Sequence, residues 1–176
     1  MKTGIINRLS LLDTVYLYIK EFSSLEADHI FQGGVNSAAL PQKDNNFAVI
    51  NIISDTLVGT NEHEYTDSSV IVTSSFKTAG QIDVYGNSLK EAQSNMLPLH
   101  SLFRDDIACD FFIPKGYAPL YADEIKVMHV VDASNQYVPR LTATFWFTYK
   151  NSIKKPCDTF SSANVDVANV DVKFKP

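Results

Sequence analysis

Residues 70–103 read VIVTSSFKTAGQIDVYGNSLKEAQSNMLPLHSLF, and the pattern switches there from period two to helical spacing. Val70, Val72, Phe76, Ile82 and Val84 share one parity, while Thr73, Ser75, Lys77, Gln81 and Asp83 hold the other. Such alternation sets one strand face on a core and the other in water. The parity survives Thr78, Ala79 and Gly80, which favours one bent strand; a hairpin turning at Lys77–Gly80 is the alternative. Gly86-Asn87 breaks the strand, and Ser88 with Glu91 has the spacing of a capping box. Leu89, Ala92, Met96, Leu99 and Phe103 then form one apolar stripe. Pro98, which removes an amide donor, is expected to end or kink this helix.

Working outward, residues from Asn7 to Phe22 repeat apolar positions at Leu9, Leu12, Val15, Tyr16, Ile19 and Phe22, predicting a first amphipathic helix. Ser23 to Asn46 contains Gly33-Gly34, Pro41 and Asp44-Asn45-Asn46 and reads as a long connection, either functional or a plain surface excursion. From Phe47, FAVINIISDTLVG is apolar on both parities at first, as in a central strand. Residues 59–69 (GTNEHEYTDSS) read as an exposed loop or hairpin tip. Pro114, Gly116 and Pro119 exclude a long regular element after Phe103. Strands from Glu124 and Gln136, linked by Ala133-Ser134-Asn135, are expected to form one antiparallel hairpin. In the second, Leu141, Ala143, Phe145, Phe147 and Tyr149 alternate with Arg140, Thr142, Thr144, Trp146 and Thr148, and Pro139 belongs at its start or an edge.

The tail repeats NVDVA-NVDVK from Asn164 and Asn169. A five-residue period puts Val165 and Val167 on one parity and Val170 and Val172 on the other, so no single flat strand hides both pairs. A bulge or an arm that pairs with a neighbour reconciles them; a frayed terminus is the bland alternative.

A chain of 176 residues with 20% charged residues has ordinary globular composition. Its net charge of −5 argues against general binding to nucleic acid or anionic membrane. Two cysteines, Cys109 and Cys157, are too few for a disulfide framework, and a reducing compartment is the default. Arg8, Asp13, Lys20 and Glu21 interrupt the apolar N-terminus, so neither a signal peptide nor a membrane span is expected there, and the protein is expected to be soluble and made in a cytoplasm.

Catalytic patterns are sparse. His29, His63, His100 and His129 are scattered, and none has zinc-site spacing. Gly33-Gly34 lacks the Gly and Lys of a phosphate loop, and no G-x-S-x-G elbow occurs. Cys109 reads as a small buried hydrophobe, and Glu62, Glu64, Asp105 and Asp106 as surface carboxylates. Arg140, Trp146 and Tyr149 with Lys150, Lys154 and Lys155 suggest nucleic-acid stacking, but the acidic balance and the strand parity oppose it. A strand-rich domain with helices, a long loop and a possible pairing arm has the profile of an assembly protein, with no catalytic, cofactor or metal site expected.

The order of landmarks adds to this. Phe31-Gln32, then Asn36 and Pro41, precede an apolar strand; another strand ends Gln81-Ile82-Asp83-Val84-Tyr85-Gly86; a helix contains Ala92. Gly116 follows, then Pro119-Leu120-Tyr121-Ala122-Asp123, and a strand opens with Tyr137 and Arg140. Over roughly residues 8–153 this set resembles the neck or tail terminator proteins of long-tailed bacteriophages, especially contractile-tailed phages and prophages. Phe31 is a departure, because tryptophan is common near that place in the family.

The resemblance implies an α/β (α+β) fold, a mainly antiparallel sheet flanked by two or more helices, in a domain over 1–153 with residues 154–176 as an extension or arm. It implies a structural virion protein, assembled in the host cytoplasm, whose copies form a ring, expected as a hexamer. That ring caps the tail tube, stops its growth and meets head-proximal neck or connector proteins, with the sheath as a further candidate partner. DNA passes its lumen without sequence-specific contact. Phe31, Gln32, Asn36, Pro41, Val165, Val167, Val170 and Val172 are the expected interface residues. Another neck component (a tail-completion or head-closure protein) and a small enzyme using Cys109 or a histidine are the competing readings.

Overall fold

The computed structural model describes residues 10–34, 46–66, 68–131 and 137–156. Asn36, Pro41 and the four tail valines therefore lie outside the described residues, as do Cys157 and the link at 133–135. The elements run α1 (Leu11–Phe22), β1 (Ile30–Gln32), β2 (Phe47–Leu57), β3 (Glu62–Thr66), β4 (Ser69–Tyr85), α2 (Leu89–Leu102), α3 (Asp106–Phe112), β5 (Ala118–Ala122), β6 (Lys126–Val131) and β7 (Tyr137–Pro156). They form one seven-stranded sheet in the order β1-β2-β4-β7-β5, with β3 added to β4 and β6 to β7. Every ladder is antiparallel except β1 with β2. This is the mixed, antiparallel-dominated fold that the resemblance implies.

β4 is one unbroken strand, so the hairpin alternative at Lys77–Gly80 is not adopted. It pairs with β7 along its whole length, from Ser69 opposite Pro156 to Tyr85 opposite Arg140. At about 3.4 Å per residue its 17 residues reach about 55 Å, longer than the helices can cover. The predicted parity holds for Ile82 and Val84, which pack with Leu141, Ala143, Phe145 and Phe147 beneath the helices, whereas Val70, Val72 and Phe76 are only half-buried because that end of the strand runs past the core. All three helices contribute to that one core, leaving the other sheet face without a helix among the described residues.

The turn between β4 and α2 is closed by Gly86. A β-carbon there would lie 2.6 Å from the Ala92 nitrogen and 2.9 Å from the Ser88 carbonyl oxygen, so no larger residue fits without moving backbone. Ser88 caps α2, its Oγ accepting from the Glu91 amide at 3.2 Å. The Glu91 carboxylate accepts from the Asn87 amide at 3.0 Å, one residue upstream of the reciprocal bond in a standard capping box.

Four expectations need correction. Of the two outcomes expected at Pro98, the helix end is not adopted, and α2 continues to Leu102. The carbonyl deprived of its donor belongs to exposed Ser94, where water can serve it, and the buried Ala92, Met96 and Leu99 hold both halves to the core. Leu89 is exposed; its place on the buried side is taken by Asn95. In α1 the buried stripe is Leu11, Thr14, Val15, Tyr18 and Ile19, with Leu12, Tyr16 and Phe22 on its flanks. The connection after α1 contains β1, a strand too short to show a period.

Tyr18 is the centre of that stripe. It is fully buried, its ring lies against Phe22, Phe103, Phe111 and Phe112, and its hydroxyl donates to the Leu99 carbonyl at 2.9 Å. Burial pushes the phenol well above its ordinary value of 10.0. The folded state thus keeps its proton where the unfolded chain loses it, and stability contributed here is full below pH 10 and lost as pH rises beyond it. Tyr18→Phe should cost about 1 kcal/mol at pH 7. In urea titrations from pH 8 to 11.5 it should lose less stability than wild type; parallel declines would refute this.

Candidate assembly interface

Two regions of the sheet are uncovered among the described residues. The first is the helix-free face. There Arg140 from β7 donates to the Asp83 carboxylate of β4 at 2.7 Å, and Gln81 Nε2 donates to the same carboxylate at 2.9 and 3.0 Å. Asp83 is 3% exposed although its parity predicts water, because Arg140 from β7 and Gln81 two residues along its own strand enclose it. Burial lowers the Arg140 pKa, but the hydrogen bond and charge of Asp83, with Tyr85, more than offset this and leave it raised. Beside this pair lies a polar groove of about 320 Å³ whose lining includes Asp123, Glu124, Lys126 and Thr142.

Further along the same face, Lys77 Nζ sits 4.4 Å from the Trp146 ring centre and donates to the Tyr121 hydroxyl at 3.0 Å. Trp146 Nε1 donates to Asp123 Oδ2 at 3.1 Å. The basic and aromatic residues grouped by sequence are therefore split. Arg140 is held by Asp83 and Trp146 by Asp123, while Tyr149 faces the helices and stacks on Phe76 at 5.2 Å.

The second region is a three-stranded blade built from β3, residues 69–75 of β4 and residues 149–156 of β7. It extends past the Phe76–Tyr149 stack that closes the core. β3 is exposed throughout, with Tyr65 73% exposed, and Ile153 of β7 is 48% exposed. At its root an apolar groove of about 590 Å³ is lined by Val58, Phe76, Ile113, Tyr117 and Tyr149 among others. β7 runs on to Pro156, across the position where the sequence suggests that an extension begins.

Of the expected interface residues, Phe31 and Gln32 form part of β1, an outer strand of the sheet. Phe31 is half-buried and meets the Phe47 ring edge-on at 6.0 Å; Gln32 is exposed. Sequence reasoning missed Asn95. Its Oδ1 accepts from the Ser24 amide and hydroxyl at 3.1 and 2.6 Å, and its Nδ2 donates to Asn46 Oδ1 at 2.9 Å. It thereby ties α2 to both ends of the long connection. Its helical position, between Ala92 and Leu99, was the available signal.

Reactive arrangements are not formed among the described residues. No group of three His, Cys, Asp or Glu side chains is placed to hold a metal ion. Cys109 is half-buried, and His100 Nε2 is engaged with the Asp123 carbonyl at 2.8 Å. No helix there is long and apolar enough to cross a membrane.

The sequence model of the family described as phage neck terminator protein matches residues 10–176. The chain belongs to this family. No curated protein matches it. Membership makes a neck terminator a structural protein of the phage neck, in contact with other tail and head–tail proteins. It gives the strand edges and the blade a context: they are surfaces of a structural protein of the phage neck.

Proposed function

We propose that this neck terminator acts as a ring of identical copies that caps the tail tube, stops its polymerisation and forms part of the head–tail connection. The family match over residues 10–176 carries the reading. A ring needs a heterologous contact repeated around an axis, and a sheet with outer strands on both sides can supply it. The tube protein on one side and head-proximal neck proteins on the other are the partners, with the sheath a possible third in contractile tails and six the expected copy number. Gln32–Pro41 and the tail after Asn151 are further contact segments in this proposal. A net charge of −5 repels a passing DNA duplex rather than gripping it, which favours transit through a lumen.

Electron microscopy of particles made after deletion of the gene tests the proposal. Overlong tail tubes beside tailless filled heads are expected. Tails of normal length that lack only head attachment would replace capping by joining, and intact infectious particles would overturn the structural role.

A further inference from the structure

The ladder registers align the two outer edges of the blade row by row. Glu64 of β3, Ile71 of β4 and Lys154 of β7 form one row, with Glu64 and Lys154 at opposite edges. They share the helix-free face, two strand spacings or about 10 Å apart. The next rows on that face run Glu62–Thr73–Ser152 and, with β3 no longer present, Ser75–Lys150. On the opposite face the rows are His63–Val72–Ile153 and Tyr65–Val70–Lys155. One blade edge is therefore acidic with an exposed aromatic ring, and the other is basic with an exposed isoleucine.

Both edges are unpaired among the described residues. β5 covers β7 only as far as Thr148, and among the described residues nothing pairs with β7 beyond it or with the outer side of β3. Lys150 is already bound to Glu62 at 3.2 Å across the blade, but neither Glu64 nor Lys154 has an ion-pair partner among the described residues.

We infer that the β3 edge of one copy adds to the residue 149–156 edge of β7 in the next copy, so that the blades join into one continuous sheet around the assembly. The occupant of each edge is thus a second copy of this chain. Charge selects the direction. Pairing β3 with β3 would oppose Glu62 and Glu64 to themselves, and pairing β7 with β7 would oppose lysines, whereas head-to-tail pairing in the same rows puts Glu64 against Lys154 on one face, and His63 against Ile153 and Tyr65 against Lys155 on the other. Both strands run antiparallel to β4 and hence parallel to each other, so copies related by rotation about an axis near the strand direction meet in a parallel ladder. Edge lysines also discourage stray pairing; here the acidic opposite edge makes them selective for this chain. The inference rests on the ring proposal and names its contact.

Charge reversal tests it on the full chain. Glu64→Lys and Lys154→Glu are each expected to weaken assembly roughly tenfold or more in sedimentation at low salt, with far-UV dichroism unchanged. An equimolar mixture of the two variants should assemble again, because a chain with two basic edges alternates with one that has two acidic edges; the double variant should also assemble. Alternation closes only rings of even number. Single variants that assemble like wild type, or a mixture no better than its components, would overturn the edge pairing.

Where the free wild-type chain stays monomeric, the same set is read by complementation of the deletion: single variants give no normal tails, and their co-expression restores them. Single variants that restore tails alone would overturn the pairing. Rings indifferent to both reversals leave the ring proposal standing, while normal tails in the deletion itself remove that proposal.

Discussion

Replacing Phe112 by alanine lowers the unfolding free energy by about 4 kcal/mol, the largest loss expected from one substitution in this chain. Phe112 is fully buried on α3 and meets Tyr18 of α1 at 4.9 Å, Phe111 at 5.0 Å, Phe147 of β7 at 5.1 Å and Phe103 at 5.8 Å. α3 has only seven residues, too few to be stable alone, so its position depends on this ring. Truncation removes the transfer free energy of the ring and leaves a cavity whose walls belong to three different elements, which limits collapse. The midpoint of thermal unfolding should fall by about 12 °C. A loss below about 1 kcal/mol in urea unfolding would show that the ring does not bridge helix and sheet.

Arg140→Ala has the second largest effect. It leaves Asp83, 3% exposed in the intact chain, with the Gln81 amide as its one remaining side-chain hydrogen-bond partner among the described residues. Stranding a buried charge costs about 3–5 kcal/mol; because the Arg140 side chain is 26% exposed, about 2–3 kcal/mol is expected. Removing both partners, in Asp83→Ala with Arg140→Ala, should cost less than the sum of the single losses by about 1–2 kcal/mol. Additive losses in this cycle would mean that the two side chains act independently.

The elements that could be read from sequence are those whose signal is local. β4 and β7 carry long alternating runs, and Ser88 with Glu91 marks a helix start within four residues. β1 was illegible because three residues cannot display a period. Pro98 misled because its effect on a helix depends on whether the orphaned carbonyl faces water, and that is known only once Ser94 is placed. Asp83 misled for the opposite reason: its parity assigned it to solvent, but burial was set by Arg140, on a strand 57 positions away.

The interface was less legible than the fold. Charges on β3 and on the end of β7 look like ordinary surface residues until the register sets Glu64 level with Lys154. Phe31 and Gln32 are on an outer strand, whereas the other six interface residues expected from sequence lie outside the described residues. The family match identifies the type of protein, and the contacts proposed here come from the ladder rows.

The long ladder between β4 and β7 also has a kinetic meaning. Its two strands are joined only at long range, which favours slow folding. During synthesis at about 5–20 residues per second, the end of β7 follows the end of β4 by roughly 70 residues, an interval of about 4–14 s. Throughout that interval β2 can occupy one side of β4, while the side reserved for β7 stays unpaired beside an apolar face. The newborn chain is thus most prone to aggregation after its central strand has been made and before its last strand arrives.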